Sequence, residues 1–286
     1  MTGVSVVVAT FNRRDELLRS LAELAGVPER PQVVVVDNGS TDGTAAAVRE
    51  RFPDVEVVDA PPGSGPSSRN LGVARASNPY VAFADDDSWW ATGSLQRAAD
   101  LFDRHPRLGL IAATILVGAD RRIDPVCAEM AASPLPRQRD LPGVPVMGFV
   151  ACGTVVRREA FESVDGFHPL TRFGGEETLL AIDLSAAGWG LAYVEDIVAL
   201  HHPSVIRSEG TRRASELWNR LLLAWLRFPT RPALDATRAA MAEAAAGRCW
   251  PLGPLVARNA AGVLRERLVA DPAVLRDLAL IGALRA

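Results

Sequence analysis

Residues 80–87 read Tyr-Val-Ala-Phe-Ala-Asp-Asp-Asp, so that a short apolar run ends in three consecutive carboxylates. Adjacent carboxylates repel one another and are unfavourable beside a buried strand unless a cation or strong hydrogen-bond donors neutralise them. Mg²⁺ and Mn²⁺ suit this role, because they bind one or two carboxylates and complete their shell with water and substrate phosphates. The stretch therefore predicts a strand leading into a divalent-metal site. The alternative is an acidic turn that caps a helix starting near Thr92 or Ser94.

Three further strands precede this one, and the sequence places them at residues 4–10, 32–37 and about 55–59. Helices are predicted between the strands: one capped by Asn12, one over residues 45–52 and one from near Ser67. Four strands alternating with three helices imply a mostly parallel sheet covered on both faces, the α/β class. In such sheets ligands bind beyond the carboxyl ends of the strands, where Thr10, Asp37 and Asp85 lie.

Several short motifs follow one another along the chain. They are Val-Val-Val-Ala-Thr-Phe-Asn-Arg at 6–13, Val-Val-Asp-Asn-Gly-Ser-Thr-Asp-Gly-Thr at 35–44, Arg-Asn-x-Gly at 69–72, the aspartates at 85–87, the segment 153–161, Asp-Gly-Phe at 165–167, Gly-Gly-Glu-Glu at 174–177 and Val-Ala-Leu-His-His at 198–202. In this order and spacing the chain resembles glycosyltransferase family 2 over about residues 3–205. The resemblance implies the A-type glycosyltransferase fold, with a mostly parallel central sheet flanked by helices, and an inverting transferase that uses a nucleotide sugar.

The resemblance also divides the chain. It implies a catalytic domain at residues 1–205, with a nucleotide-sugar half at 1–118 and an acceptor half at 119–205, followed by a helical C-terminal extension at 206–286. Helices in the extension are expected over residues 217–226, 233–246 and 255–284. We expect this tail to pack on the catalytic domain, and its tryptophans and arginines keep a membrane-surface helix as the alternative.

The acceptor half carries weaker signals. Residues 109–118 predict a strand, and residues 149–156 predict a return to the sheet. The proline-rich and arginine-rich segment 120–145 predicts a long loop, which we expect to shape the acceptor pocket. A helix over 177–187 and a strand around 191–194 follow.

Composition limits the other classes of function. The chain has 286 residues, a formal net charge of −3 and no lysine, so no broad surface for nucleic acid is indicated. No apolar stretch reaches the roughly 18 residues that span a bilayer, and the first strand lacks the basic leader of a signal peptide. Cys127, Cys152 and Cys249 lack metal-ligand spacing and suggest reduced thiols. The expected location is the cytoplasm, with the inner face of the membrane as the alternative.

The resemblance assigns roles around the aspartates. Asp87 would hold Mn²⁺ or Mg²⁺ on the diphosphate, and Asp85 would approach the ribose or the nucleotide. Asp86, the least defined of the three, is grouped with the nucleotide-sugar-binding residues. His201 or His202 would complete the metal shell, with His201 preferred, because imidazole can join carboxylates around Mn²⁺.

Thr10, Asp37 and Arg69 match positions that hold the nucleoside in relatives. The carboxylate of Asp37 is suited to accept the imide hydrogen of uracil or thymine. The alternative for Asp37 is capping of the turn that follows it, and the alternative for Arg69 is a surface ion pair.

The general base is assigned to Glu177. Relatives carry a Glu-Asp pair at this point, whereas this chain has Glu176-Glu177, so either glutamate is open as the base. The alternative for both is stabilisation of the first turn of a helix. One base without a protein nucleophile would invert the anomeric configuration.

Three functions are compatible with the sequence. An inverting glycosyltransferase explains both halves, and the alternatives are a nucleotidyltransferase of related topology and a non-catalytic nucleotide-sugar-binding homologue. We expect a uridine or thymidine diphosphate sugar as donor. The acceptor is left open between a lipid-linked glycan, a polysaccharide and a small metabolite, and the sequence specifies neither the sugar, the linkage nor the oligomeric state.

Overall fold

The computed structural model describes residues 3–203, 209–246 and 252–283. Its first part alternates strands and helices: β1 (Val4–Thr10), α1 (Arg14–Ala25), β2 (Gln32–Asp37), α2 (Thr44–Arg51), β3 (Glu56–Asp59), α3 (Ser68–Arg75) and β4 (Tyr80–Asp85). The strands lie in the order β3-β2-β1-β4, and all neighbours are parallel. Thr10 pairs with Asp37, and Ala9 pairs with Asp85, so the polar strand ends share one edge of the sheet. The predicted parallel α/β unit is confirmed.

The second part adds β5 (Ser88–Trp90), α4 (Ser94–Arg104), β6 (Leu108–Val117), β7 (Arg122–Ile123), α5 (Pro125–Ala131), β8 (Val144–Pro145), β9 (Thr154–Arg157), α6 (Arg158–Glu162), α7 (Glu177–Ala186) and β10 (Gly190–His201). Strand β9 lies antiparallel between β4 and β6, and β10 runs parallel to β6. Strand β5 pairs antiparallel with β10, which sets His201 opposite Ser88. The last strand therefore returns to the aspartates that end β4.

Both faces of the sheet are buried under helices. Val6 and Val8 point into one apolar cluster and Val7 into the other, because successive side chains of a strand alternate between faces. Helix α3 lies so close to β1 that a Cβ atom at Gly72 would meet Val7 Cγ1 at 2.4 Å. Glycine at this position lets α3 pack tightly, and α3 carries Arg69 to the site.

Residues 120–145 are not a continuous loop, so that prediction was wrong. They contain β7, α5 and β8. Asp124 caps α5 by accepting a hydrogen bond from the Val126 N–H at 3.0 Å, and Pro125 occupies the first turn. Asp-Pro is a helix start, because proline needs no hydrogen-bond partner in the first turn. The density of prolines concealed this signal.

Three other local predictions need correction. Asn12 does not cap α1: its φ is 53°, and its Oδ1 accepts a hydrogen bond from the Thr41 N–H at 2.7 Å. The strand expected around 191–194 is the much longer β10. The helix expected over 255–284 is two helices, because Asp271 accepts a hydrogen bond from the Ala273 N–H and starts a new helix ahead of Pro272.

The C-terminal helices are α8 (Glu209–Arg227), α9 (Thr230–Ala246), α10 (Leu252–Arg265) and α11 (Pro272–Leu280). They pack on α7 through two apolar clusters, one containing Ile182 and the other Leu179. Arg227 also pairs with Asp183 of α7 through hydrogen bonds of 2.5 and 2.9 Å. The division at residues 205 and 206 remains a prediction. Within the described parts of the chain, no helix combines the length and apolar character needed to cross a bilayer.

Candidate active site

The three aspartates after β4 point to different partners. Asp85 Oδ1 accepts a hydrogen bond from Arg69 Nη2 at 2.6 Å. Asp86 lies 3.1 Å from Arg13 Nε and accepts a hydrogen bond from Thr10 Oγ1 at 3.2 Å. Asp87 Oδ2 accepts a hydrogen bond from Arg13 Nη2 at 2.9 Å. Two arginines thus supply much of the positive charge that three adjacent carboxylates, two of them buried, require.

Asp86 has a strongly raised pKa. Burial raises its pKa to about 7, Arg13 opposes this rise, and the neighbouring Asp85 and Asp87 add to it. Near neutral pH this carboxyl group is therefore protonated in part of the molecules. The Thr10 hydroxyl donates its hydrogen to Asp86, which links the end of β1 to the aspartates.

Asp87 also faces the end of β10. His201 Nε2 lies 3.3 Å from Asp87 Oδ1, and this nitrogen is buried without a hydrogen-bond partner. His202 points elsewhere: its ring is 4.8 Å from that of Trp89, and only its backbone N–H reaches Asp87, donating to the carbonyl oxygen at 2.8 Å. Of the two histidines, His201 faces the carboxylate.

This pair fits a divalent cation. A buried imidazole nitrogen without a hydrogen-bond partner beside a carboxylate oxygen is a two-ligand set that Mn²⁺ accepts. No group of three or more His, Cys, Asp or Glu side chains suited to hold a metal occurs among the described residues. A cation held by Asp87 and His201 would therefore take its other ligands from water and substrate phosphates, as Mg²⁺ and Mn²⁺ commonly do.

Arg69 lies beneath the site with its side chain only 2% exposed. The alternative that it forms a surface ion pair was therefore wrong. Besides Asp85, its guanidinium lies 3.7 Å from Glu176 Oε1 and 5.4 Å from the ring centroid of Phe173. Arg69 thereby links the end of β4 to the start of α7.

The two glutamates at the start of α7 have different surroundings. Glu176 is 3% exposed, and its Oε2 accepts a hydrogen bond from the Gly174 N–H at 2.6 Å. Burial and the neighbouring Glu177 raise the pKa of Glu176 to about 8, against the opposing effect of Arg69. Glu177 is partly exposed, and its Oε1 accepts a hydrogen bond from the Ala151 N–H at 3.3 Å. Burial raises the pKa of Glu177 as well, and its backbone hydrogen bonds and Arg69 oppose the rise.

Asp37 lies at the same sheet edge and is 3% exposed. Its Oδ1 accepts a hydrogen bond from the Ser40 N–H at 2.8 Å, so one oxygen does stabilise the turn after β2. Two of the three cysteines, Cys127 and Cys152, are buried free thiols. Cys249 lies outside the described residues.

A family model, described as glycosyl transferase family 2, matches residues 5–165, more than half of the chain. The chain belongs to glycosyl transferase family 2. Among curated relatives, the N-acetylglucosaminyl-diphospho-decaprenol L-rhamnosyltransferase of Mycobacterium tuberculosis is 29% identical over 259 residues, which cover 76% of this chain and 81% of the relative. The pre-mycofactocin glycosyltransferase of the same species is 30% identical, covering 74% of this chain and 45% of the relative.

Solved structures share the fold. The mannosyltransferase PcManGT of Pyrobaculum calidifontis, in complex with GDP-Man and Mn²⁺, superposes with a TM-score of 0.60 at 23% identity, covering 99% of this chain and 85% of the other. S. aureus TarS 1-349, in complex with UDP-GlcNAc, gives a TM-score of 0.63 at 19% identity, covering 78% of this chain and 66% of that one. The protein is therefore a glycosyltransferase with the A-type fold, as the sequence predicted.

Two residues of this family 2 member have contacts that the sequence did not disclose. Arg13 joins Asp86 to Asp87, although the sequence only marked it as the end of a motif. Asn70 joins two motifs: its amide exchanges hydrogen bonds with the backbone of Phe167 at 2.9 and 3.0 Å. The sequence did offer one indication for Arg13: it is a positively charged residue shortly after β1, and β1 is the neighbour of β4, the strand that leads into the aspartates. For Asn70 the partner is 97 residues away, and nothing in the sequence indicates it.

Proposed function

We propose that this glycosyltransferase is metal-dependent and inverting, and that it moves a sugar from a uridine or thymidine diphosphate sugar to an acceptor hydroxyl. The observation that carries the proposal is the pair formed by Asp87 and His201. Two strands that are distant in sequence bring a carboxylate and a buried imidazole nitrogen without a hydrogen-bond partner to 3.3 Å, at the ligand-binding edge of the sheet.

The donor side is assigned to residues at the ends of β1, β2 and β4. When bound at Asp87 and His201, Mn²⁺ or Mg²⁺ would neutralise the charge of the leaving diphosphate. Asp37 would accept the imide hydrogen of the base through the oxygen that does not bind Ser40. Thr10, Arg69, Asp85 and Asp86 would line the nucleotide-sugar pocket, and the buried ion pair with Arg69 would fix the orientation of Asp85.

The role of general base, which removes the proton from the acceptor hydroxyl, is assigned to Glu177. As a residue Glu177 is partly exposed, whereas Glu176 is buried, accepts a hydrogen bond from Gly174 and faces Arg69. Only an accessible carboxylate can reach a proton on the acceptor hydroxyl. A raised pKa brings a glutamate closer to the pH at which a base works best. Attack from the opposite side to the diphosphate would invert the anomeric centre.

For the acceptor we propose a lipid-linked glycan, with contact between the C-terminal helices and the inner face of the membrane. The support is the relative named for an N-acetylglucosaminyl-diphospho-decaprenol substrate, together with two exposed leucines, one at the end of α10 and one in the segment that follows it. Leu264 and Leu268 are 56% and 71% exposed. Helix α10 carries two arginines and no acidic residue, and residues 206–286 contain 13 arginines against 7 acidic residues, whereas residues 1–205 contain 18 against 27. Such a surface suits an anionic bilayer.

Vesicle flotation tests the membrane contact. The full chain should float with vesicles that contain phosphatidylglycerol, less with pure phosphatidylcholine, and the double variant Leu264→Glu with Leu268→Glu should stay in the lower fraction. Sedimentation of both proteins without lipid separates membrane binding from self-association. Equal flotation of the parent and the double variant would remove this surface from the proposal.

A donor panel tests the activity. The protein, incubated with nucleotide sugars and a lipid-linked acceptor with and without Mn²⁺, should release a nucleoside diphosphate only when the cation is present. Pyrophosphate as the product would indicate a nucleotidyltransferase, and binding without turnover would indicate a non-catalytic homologue. Turnover unchanged by a chelator would contradict the metal dependence.

A further inference from the structure

The loop of residues 168–175 leads directly into Glu176 and is bound by helix α8. Asn219 of α8 is buried, and its side-chain amide is fully engaged with this loop. Its Oδ1 accepts a hydrogen bond from the Arg172 N–H at 2.9 Å, and its Nδ2 donates to the carbonyl oxygens of Arg172 and Gly174 at 2.5 and 2.9 Å. The neighbouring Trp218 donates its Nε1–H to the Leu170 carbonyl at 2.7 Å.

The loop contains two adjacent glycines, so contacts from outside the loop are needed to fix its backbone. Gly174 and Gly175 have φ angles of 105° and 90°, a region that side chains other than glycine rarely adopt. Glycine adopts this region without steric strain, but it loses more conformational freedom on folding than any other residue. The Gly174 N–H also donates the hydrogen bond to Glu176. The backbone that Asn219 holds is therefore the same backbone that orients Glu176 and leads into α7, where Glu177 follows.

The loop also covers the donor side of the site. Phe173 is 47% exposed, and its ring lies over the guanidinium of Arg69. Arg69 in turn pairs with Asp85. The loop therefore borders both the carboxylates of α7 and the ion pair below the aspartates, but the partners that hold Arg69 and Asp85 together lie outside the loop.

We propose that Asn219 is a positioning residue for the acceptor-side carboxylates, so that the C-terminal tail completes the active site. This inference rests on the proposed role of Glu177 as the base. Three hydrogen bonds from one buried amide restrain a glycine loop, and the loop sets the start of α7. A displacement of about 1 Å in a catalytic group can cost about 10²-fold in rate.

Two variants and one control test the inference. Asn219→Ala removes all three hydrogen bonds, and Asn219→Asp keeps the size but turns a carboxylate oxygen toward two carbonyl oxygens. Both should lower kcat by about 10-fold to 10²-fold and leave donor affinity within about twofold. The control is Thr237→Val, which removes the acceptor of the Trp225 Nε1–H inside the tail and touches no residue of the loop. It should leave kcat unchanged.

Hydrogen exchange supplies a readout that does not depend on activity. The Arg172 amide should exchange faster in Asn219→Ala, which removes its acceptor, and at the parent rate in Thr237→Val. Asn219→Asp keeps an acceptor for this amide, so its effect should come from repulsion of the Arg172 and Gly174 carbonyl oxygens. Thermal unfolding of all three variants shows whether the fold is retained. If Asn219→Ala fails to fold, Asn219→Asp carries the comparison.

A double-variant cycle separates positioning from stability. If Asn219 acts through Glu177, Asn219→Ala should lower the residual rate of Glu177→Gln by less than about twofold, because coupled residues are not additive. Losses that multiply, or a parent-like kcat in both Asn219 variants, would overturn the inference. Retained transfer in Glu177→Gln alone would instead refute the assignment of the base, so the two failures can be told apart.

Discussion

The two proposed halves of the catalytic region, one for the nucleotide sugar and one for the acceptor, position their proposed functional groups in different ways. In the nucleotide-sugar half, Thr10, Asp37 and Asp85 each end a strand of one parallel sheet, so the register of neighbouring strands brings them together. In the acceptor half, Glu176 and Glu177 follow a glycine loop whose backbone is held by a helix more than forty residues further along the chain. The first arrangement follows from strand pairing that a recurring sequence pattern indicates, whereas the second depends on side-chain packing that no sequence motif indicates.

This difference predicts how substitutions behave. Changes in the nucleotide-sugar half should affect donor and metal binding, with effects confined to the altered side chain. Changes in the acceptor half should affect transfer while the donor still binds. The predictions below separate the two kinds of effect.

The largest effect is expected for Asp87→Asn. It removes the charge of the proposed cation ligand beside His201, so turnover should fall by at least about 10³-fold and metal-dependent nucleotide binding should weaken. Calorimetry with the nucleotide in the presence and absence of Mn²⁺ measures the binding. Asp120→Asn, an exposed carboxylate paired with Arg122, is the control and should match the parent. Unchanged affinity of Asp87→Asn for the metal-nucleotide complex would show that Asp87 is not the ligand.

The next effect is expected for Glu177→Gln, which should lose transfer by about 10² to 10⁴-fold and keep donor affinity. Glu176→Gln is the matched comparison and should keep appreciable activity, because a glutamate with a pKa of about 8 is largely protonated at neutral pH, and glutamine resembles that form. Single-turnover rates and donor titrations of both variants decide the assignment. Loss in Glu176→Gln with retention in Glu177→Gln would move the base one residue back.

Transfer should also depend on pH. The pKa of Glu177 is raised by burial, and a base works only when ionised, so the rate should rise with pH through this raised pKa and fall about tenfold per unit below it. Donor affinity measured at each pH keeps this effect apart from the titration of Asp86, whose pKa is about 7. A rate that is flat from neutral pH down to the ordinary range of a glutamate would argue against Glu177 as the base.

The smallest effect is expected for Asp37→Ala. One hydrogen bond to the nucleobase imide contributes about 1 kcal/mol, so uridine nucleotides should bind about fivefold to tenfold more weakly, even without metal. Asp42→Ala, which removes a carboxylate from the same turn, is the control. If Asp37→Ala binds uridine nucleotides as tightly as Asp42→Ala in a metal-free titration, Asp37 serves only to stabilise the turn with Ser40.

The sequence predicted the strand ends of the proposed nucleotide-sugar half well and the side-chain contacts of the proposed acceptor half poorly. Valine-rich strands and the polar residues at their ends predicted β1, β2 and β4 and their common edge. The helix α5 was missed because prolines suggested a loop, and Asn12 was taken for a cap although it bonds to the next turn. Arg13 had no recognised partner, since its aspartates lie more than seventy residues away. Asn219 was missed because the tail carries no motif, and only packing shows that it reaches residues 172 and 174.

The bridge from Arg13 to Asp86 and Asp87 has a consequence for how the protein is made. Three carboxylates that depended on a metal ion for charge balance would tie folding of the site to the supply of that ion. Arg13 comes from the same chain and provides part of this balance from within. The fold should therefore form in the presence of a chelator, with a melting temperature close to that measured with Mn²⁺. The proposed cation would then take part in turnover without being required for the structure.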